Sequence, residues 1–216
     1  MTKILFGISL LLLVSCSQQS GIENTPSPDL LGYVNPFIGT SNFGATNPGA
    51  LAPRGMINVS PFNVSGAQNS FEKDSRWLST PYVYENTFLT GFSHVNLSGV
   101  GCPDLGVILT MPTTGALVTD PRKYGSTYSN EAAKAGYYSS SLNKYDVKVE
   151  ATATTRTGVS NYFFPKGKSN ILINLGLGLT NEQGGSLKVV SSTEIEGMRQ
   201  VGSFCYYKAE ESYPLY

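Results

Sequence analysis

Polar and apolar residues alternate in short runs along much of this chain. The clearest case is Asp146-Val147-Lys148-Val149-Glu150-Ala151-Thr152-Ala153, whose period of two places Val147, Val149 and Ala151 on one face of a half-buried strand. Asn161-Tyr162-Phe163-Phe164-Pro165 and Ile171-Leu172-Ile173-Asn174-Leu175 read as the next two strands, and Lys166-Gly167-Lys168 between them as a hairpin turn. Residues 187–190, 193–198 and 201–207 complete a meander, and residues 88–95, 105–111 and 136–142 also suit strands. Only Asn130-Glu131-Ala132-Ala133-Lys134 has helical character, enough for one or two turns. Short strands at regular turn spacing predict an all-β, antiparallel β-sandwich with little helix. The absence of a repeat of roughly 20–50 residues argues against propellers and solenoids.

The ends of the pattern differ from its middle. Residues 1–15 hold one basic residue, Lys3, and a short apolar core. That core falls well below the ~20 residues of a membrane-spanning helix and reads as a signal peptide. Leu13-Val14-Ser15-Cys16 resembles the bacterial lipobox, which predicts acylation of Cys16 and anchoring of the exported protein to a bacterial outer membrane; the alternative is an ordinary signal peptide that happens to contain a cysteine. Residues 16–31 form a polar, Pro-containing tether, and residues 32–216 the sandwich. Between Asn35 and Gly106 the chain becomes dense in Gly, Pro and Asn. Long loops on a β scaffold are where binding is expected.

Composition narrows the chemistry. The 216 residues carry 15 Lys+Arg and 15 Asp+Glu, a net charge of zero that argues against a nucleic-acid partner. With one histidine, any Ser-His-Asp triad depends on His94. No GxxxxGK[ST] or GxGxxG joins a strand to a helix, which argues against nucleotide binding. An exported protein could pair Cys102 with Cys205, but their spacing does not prove proximity, and the expectation is no disulfide. Three Asn-x-Ser sequons, at Asn58, Asn63 and Asn96, read as coincidences of a Ser/Asn-rich composition.

Candidate residues follow from these loops. On strand alternation His94 shares a face with Phe92 and Asn96, and is a hydrogen-bonded structural histidine unless the adjoining loop, residues 98–104, makes it part of a site. Asp104 either caps that loop or contacts a ligand. Trp77 offers a flat apolar face to a sugar ring or anchors the core. None of the fifteen acidic residues lies in apolar sequence surroundings that would raise its pKa for general-acid work, so no catalytic pair is nominated.

The same loops carry a family resemblance. Tyr33-Val34-Asn35-Pro36-Phe37-Ile38-Gly39-Thr40, Asn47-Pro48-Gly49-Ala50, and Pro53-Arg54-Gly55-Met56 with Ser60-Pro61 resemble the opening motif of glycoside hydrolase family 92. Gly91-Phe92-Ser93-His94 through Leu97-Ser98-Gly99-Val100-Gly101-Cys102-Pro103-Asp104-Leu105-Gly106 is similar to its second block. Gly136-Tyr137-Tyr138, Ala153-Thr154-Thr155-Arg156-Thr157-Gly158 and Phe164-Pro165-Lys166-Gly167 follow in order. The resemblance implies an exported, calcium-dependent, inverting exo-α-mannosidase acting on mannose-containing glycans. In that chemistry calcium binds the terminal sugar, one carboxyl protonates the glycosidic oxygen and another activates water.

It further implies that this chain is only the first half of such an enzyme. The general acid, the base and most calcium ligands belong to a C-terminal (α/α)6 barrel that nothing here resembles, so a shortened reading frame, a split gene or a fragment is expected, inactive alone. The sandwich lends loops to the sugar site, which places Asn42, Phe43, Gly101, Cys102 and Asp104 at the substrate, with His94 supporting the second loop and Trp77 as a further contact. Ala45 stands where His is frequent, Arg54 where Phe is frequent and Asn96 where a second His is common, departures that leave linkage preference open. The rival reading is a non-catalytic carbohydrate-binding lipoprotein.

Overall fold

The computed structural model describes residues 28–41, 44–64, 79–179, 182–202 and 213–216. Cys16, Asn42, Phe43, Trp77 and Cys205 lie outside them. Two five-stranded antiparallel sheets pack face to face, as the alternation predicts. The first has the order β1 (Ala50–Leu51), β2 (Asn58–Pro61), β4 (Phe92–Asn96), β5 (Leu105–Thr114), β10 (Ser169–Asn174). The second runs β3 (Phe88–Leu89), β6 (Ser126–Lys134), β7 (Tyr137–Leu142), β8 (Val147–Ala153), β9 (Gly158–Phe163). A smaller sheet joins β11 (Glu182–Val189), β12 (Ile195–Val201) and β13 (Tyr213–Leu215).

The core forms where inward positions of the two large sheets meet. Val147, Val149 and Ala151 of β8 pack with Val59, Leu89, Phe92, Met111, Tyr138 and Leu142, all buried. Leu105 and Val107 of β5 meet Val201 of β12 in a separate cluster, which seats the third sheet beside the first. A single helical turn, α1 (Pro121–Tyr124), enters with Asp120 accepting from the Arg122 amide and Pro121 at its first position. It buries Tyr124 in the core.

Three expectations need correction. Residues 130–134 are strand rather than helix. Ala132 and Ala133 pair with Ser139 and Tyr138, and ladder bonding overrides the local propensity of Glu-Ala-Ala-Lys. The Lys166-Gly167-Lys168 turn does not close a hairpin, because β9 pairs with β8 in one sheet while β10 pairs with β5 in the other. Residues 88–95 likewise split into β3 and β4, in different sheets, at Thr90-Gly91, where Gly91 adopts φ +152°.

Candidate functional site

The two Gly-rich motif loops meet. The first begins with a turn in which Asn35 Oδ1 accepts from the Phe37 amide and Thr40 Oγ1 donates to the Phe37 carbonyl. Its legs are closed by Thr46, whose amide and hydroxyl donate to the carbonyls of Gly39 and Ile38. The Gly99 amide of the second loop donates to the Ala45 carbonyl, and Asn47 Nδ2 approaches the Leu97 carbonyl at 3.5 Å. Thr80 Oγ1 donates to the Thr46 carbonyl from a third segment.

Behind this junction Gly49 is required by space. A Cβ there would run into Asn58 Oδ1, which is buried and has no hydrogen-bond partner among the described residues. Asn58 and Asn63 are 4% and 0% exposed, so their sequons offer no accessible amide. Asn63 Nδ2 instead donates to the Val83 and Asn86 carbonyls.

His94 is part-buried between the sheets, with its ring edge against Gly158 of β9. Its Nδ1 lies 2.8 Å from the Ile108 carbonyl, which only accepts, so Nδ1 carries the proton and Nε2 is left as an acceptor. Burial holds the imidazole pKa below its ordinary value, against the opposing pull of the bonds to Ile108 and Phe92. A register shift between Val95 and Asn96 takes Asn96 off the expected face, and its side chain bonds Ser93 Oγ and the Asn58 carbonyl.

Asp104 is 1% exposed, and its Oδ1 accepts from the amide of the next residue, Leu105, which adopts φ +61°. Gly101 sits in an open part of the loop, where a Cβ would meet nothing within 4 Å. Cys102 is disulfide-bonded, contrary to expectation; the other two cysteines, Cys16 and Cys205, lie outside the described residues. Sequence separation carries no information about proximity in a sheet protein. Here Leu105 and Val107, shortly after Cys102, pack against Val201, shortly before Cys205.

One carboxyl escaped the sequence reading. Glu131 lies at a bulge of β6 where the register shifts between Ser129 and Ala132 and Asn130 adopts φ +52°. The Tyr138 hydroxyl donates to Oε1 at 2.7 Å and the Tyr82 hydroxyl to Oε2 at 2.9 Å. Desolvation raises the carboxyl pKa, opposed by these two bonds. Burial and the nearby carboxylate push Tyr82 and Tyr138 far above the usual phenol range. The partners come from residues distant in sequence, and no local signal marks them. Among the described residues no group of three or more His, Cys, Asp or Glu side chains is placed to hold a metal ion.

Comparison with known proteins agrees with this architecture. Residues 33–216 match the glycosyl hydrolase family 92 N-terminal domain. A family 92 α-mannosidase from Bacteroides thetaiotaomicron superposes with a TM-score of 0.69 at 33% identity, over 79% of this chain and 24% of its own. The family 92 glycosyl hydrolase ccman5 gives a TM-score of 0.71 at 27% identity, over 85% of this chain and 25% of its own. A protein of Arthroderma benhamiae described as an uncharacterized secreted glycosidase is 27% identical over 186 residues, 80% of this chain and 21% of that protein. The chain therefore spans about a quarter of the length of these relatives, not half. With its motif loops joined on a two-sheet scaffold of the same architecture, the chain belongs to glycosyl hydrolase family 92, of which it carries the N-terminal domain.

Proposed function

We propose that this sandwich is the N-terminal part of an exported α-mannosidase that removes terminal α-linked mannose from glycans. Its loops at residues 44–48 and 97–104 form one wall of the sugar site. The observation that carries this reading is the Gly99-to-Ala45 hydrogen bond, which gathers the two family motifs into a single surface. The reactive wall, with the acid and the base, belongs to a helical barrel outside this chain, as does calcium.

Export is supported by the secreted relative and by the disulfide at Cys102, a bond that persists in oxidising compartments. The Leu13-Val14-Ser15-Cys16 sequence supports anchoring to the outer membrane through acylated Cys16. Incorporation of labelled palmitate, lost in Cys16→Ala, tests the anchor.

The assay for the main claim is hydrolysis of α-mannobiose with calcium. The 216-residue chain alone shows no turnover, and co-expression with a family 92 helical barrel restores it. Turnover by the chain alone that disappears on changing one of its own Asp or Glu residues sinks the proposal. Mannan affinity with no activity under any co-expression returns the non-catalytic binding module.

A further inference from the structure

The first motif loop also contributes to a cleft. Its opening turn, which closes on Thr46 toward the sugar-site loops, borders this space of about 350 Å³, lined by Asn35, Phe37, Ile38, Ser41, Tyr84 and Glu131. That volume is at the lower end of small-molecule sites, roughly 300–1,000 Å³.

The lining combines two chemistries. Phe37 and Tyr84 meet edge to face at 5.8 Å, and Tyr84 is 56% exposed, so an aromatic face is available at the mouth. Asn35 uses Oδ1 on the Phe37 amide, which leaves Nδ2 as a donor; Ser41 Oγ and the Tyr84 hydroxyl carry no hydrogen bond among the described residues. A carboxylate offers about four acceptor positions, and Tyr82 and Tyr138 occupy one on each oxygen of Glu131. Each oxygen keeps acceptor capacity, and the carboxylate is already fixed in place by two phenols from different segments.

A purely apolar guest would strand these groups, and a free anion would face Glu131. A ring with hydroxyls on its rim and C–H bonds on its face satisfies both. We propose that this cleft is a hexopyranose subsite, separate from the surface made by the two joined loops, in which Glu131 accepts sugar hydroxyls and Tyr84 packs on the ring. The proposal rests on the reading of the domain as glycan-handling, and adds a second point of contact for the same glycan.

The test is an NMR titration of the 216-residue chain with α-mannobiose. Saturable shifts at Tyr84 and around Glu131 are the expected result, with Tyr84→Ala and Glu131→Gln each weakening binding by roughly tenfold or more. Lys148→Ala, on the outer face of β8, leaves binding unchanged. Tyr84 is an exposed position, so its variant decides the matter even where Glu131→Gln fails to fold. Absence of saturable binding, or binding that survives Tyr84→Ala with full affinity, overturns the subsite. Failure of the hydrolysis assay above overturns the mannosidase reading and leaves this titration interpretable, so the two claims fail separately.

Discussion

The joined motif loops and the Glu131 cluster are two ways of fixing polar groups in one sandwich. The loops are held by main-chain bonds, Gly99 to Ala45 and Thr46 to Gly39, with short Asn and Thr side chains closing turns nearby. The cluster is held by long side chains from separate segments, Tyr82, Tyr138 and Glu131, at a strand bulge. The first arrangement depends on what can be left out of the chain, a Cβ at Gly49. The second depends on what is added, two phenols on one carboxylate. Main-chain joints tolerate little change in backbone volume; side-chain networks tolerate shape-preserving change and respond instead to protonation.

The comparison breaks most readily at Gly49. Gly49→Ala brings a methyl against the buried Asn58 amide, and is expected to cost about 2–3 kcal/mol in urea unfolding, as for overpacked interiors. Tyr138→Phe keeps the ring in the core and removes one donor from Glu131. A loss of about 1–2 kcal/mol is expected, as for a buried polar group left short of a partner. A smaller loss at Gly49 than at Tyr138 would reverse the contrast.

The smallest effect is a slope. Because the folded-state pKa of Glu131 is raised, the folded chain binds more protons than the unfolded one above the ordinary Glu range, near pH 4.3. Its contribution is fully present below that range and is lost as pH rises through the folded value. Glu131→Gln removes this loss, so its unfolding free energy relative to the parent improves as pH rises through the window. A difference independent of pH between acid and neutral conditions would remove Glu131 from the titrating groups.

Much of the fold was legible because packing on one face imposes a period. Residues 147–153 alternate since Val147, Val149 and Ala151 face the other sheet while Lys148 lies outside. What stayed hidden is non-local. Lys166-Gly167-Lys168 marks a turn, but no nearby residue says to which sheet the next strand returns. Residues 130–134 hold good helix formers that β7 recruits by pairing. The site divides in the same way. The loops are visible as motifs, whereas Glu131 owes its environment to Tyr82 and Tyr138. Cys102 found a partner that spacing could not supply.

The sheet exchange between β9 and β10 delays completion of the first sheet until late in the chain. Strand β5 is flanked by β4 and β10, and β10 is reached only after the whole of the second sheet has passed. Until residues 169–174 emerge, one side of β5 has unpaired main-chain groups, and loop-closure entropy slows the pairing that covers it. For a chain delivered from its N-terminus, that interval is when a holding chaperone would have the most surface to grip.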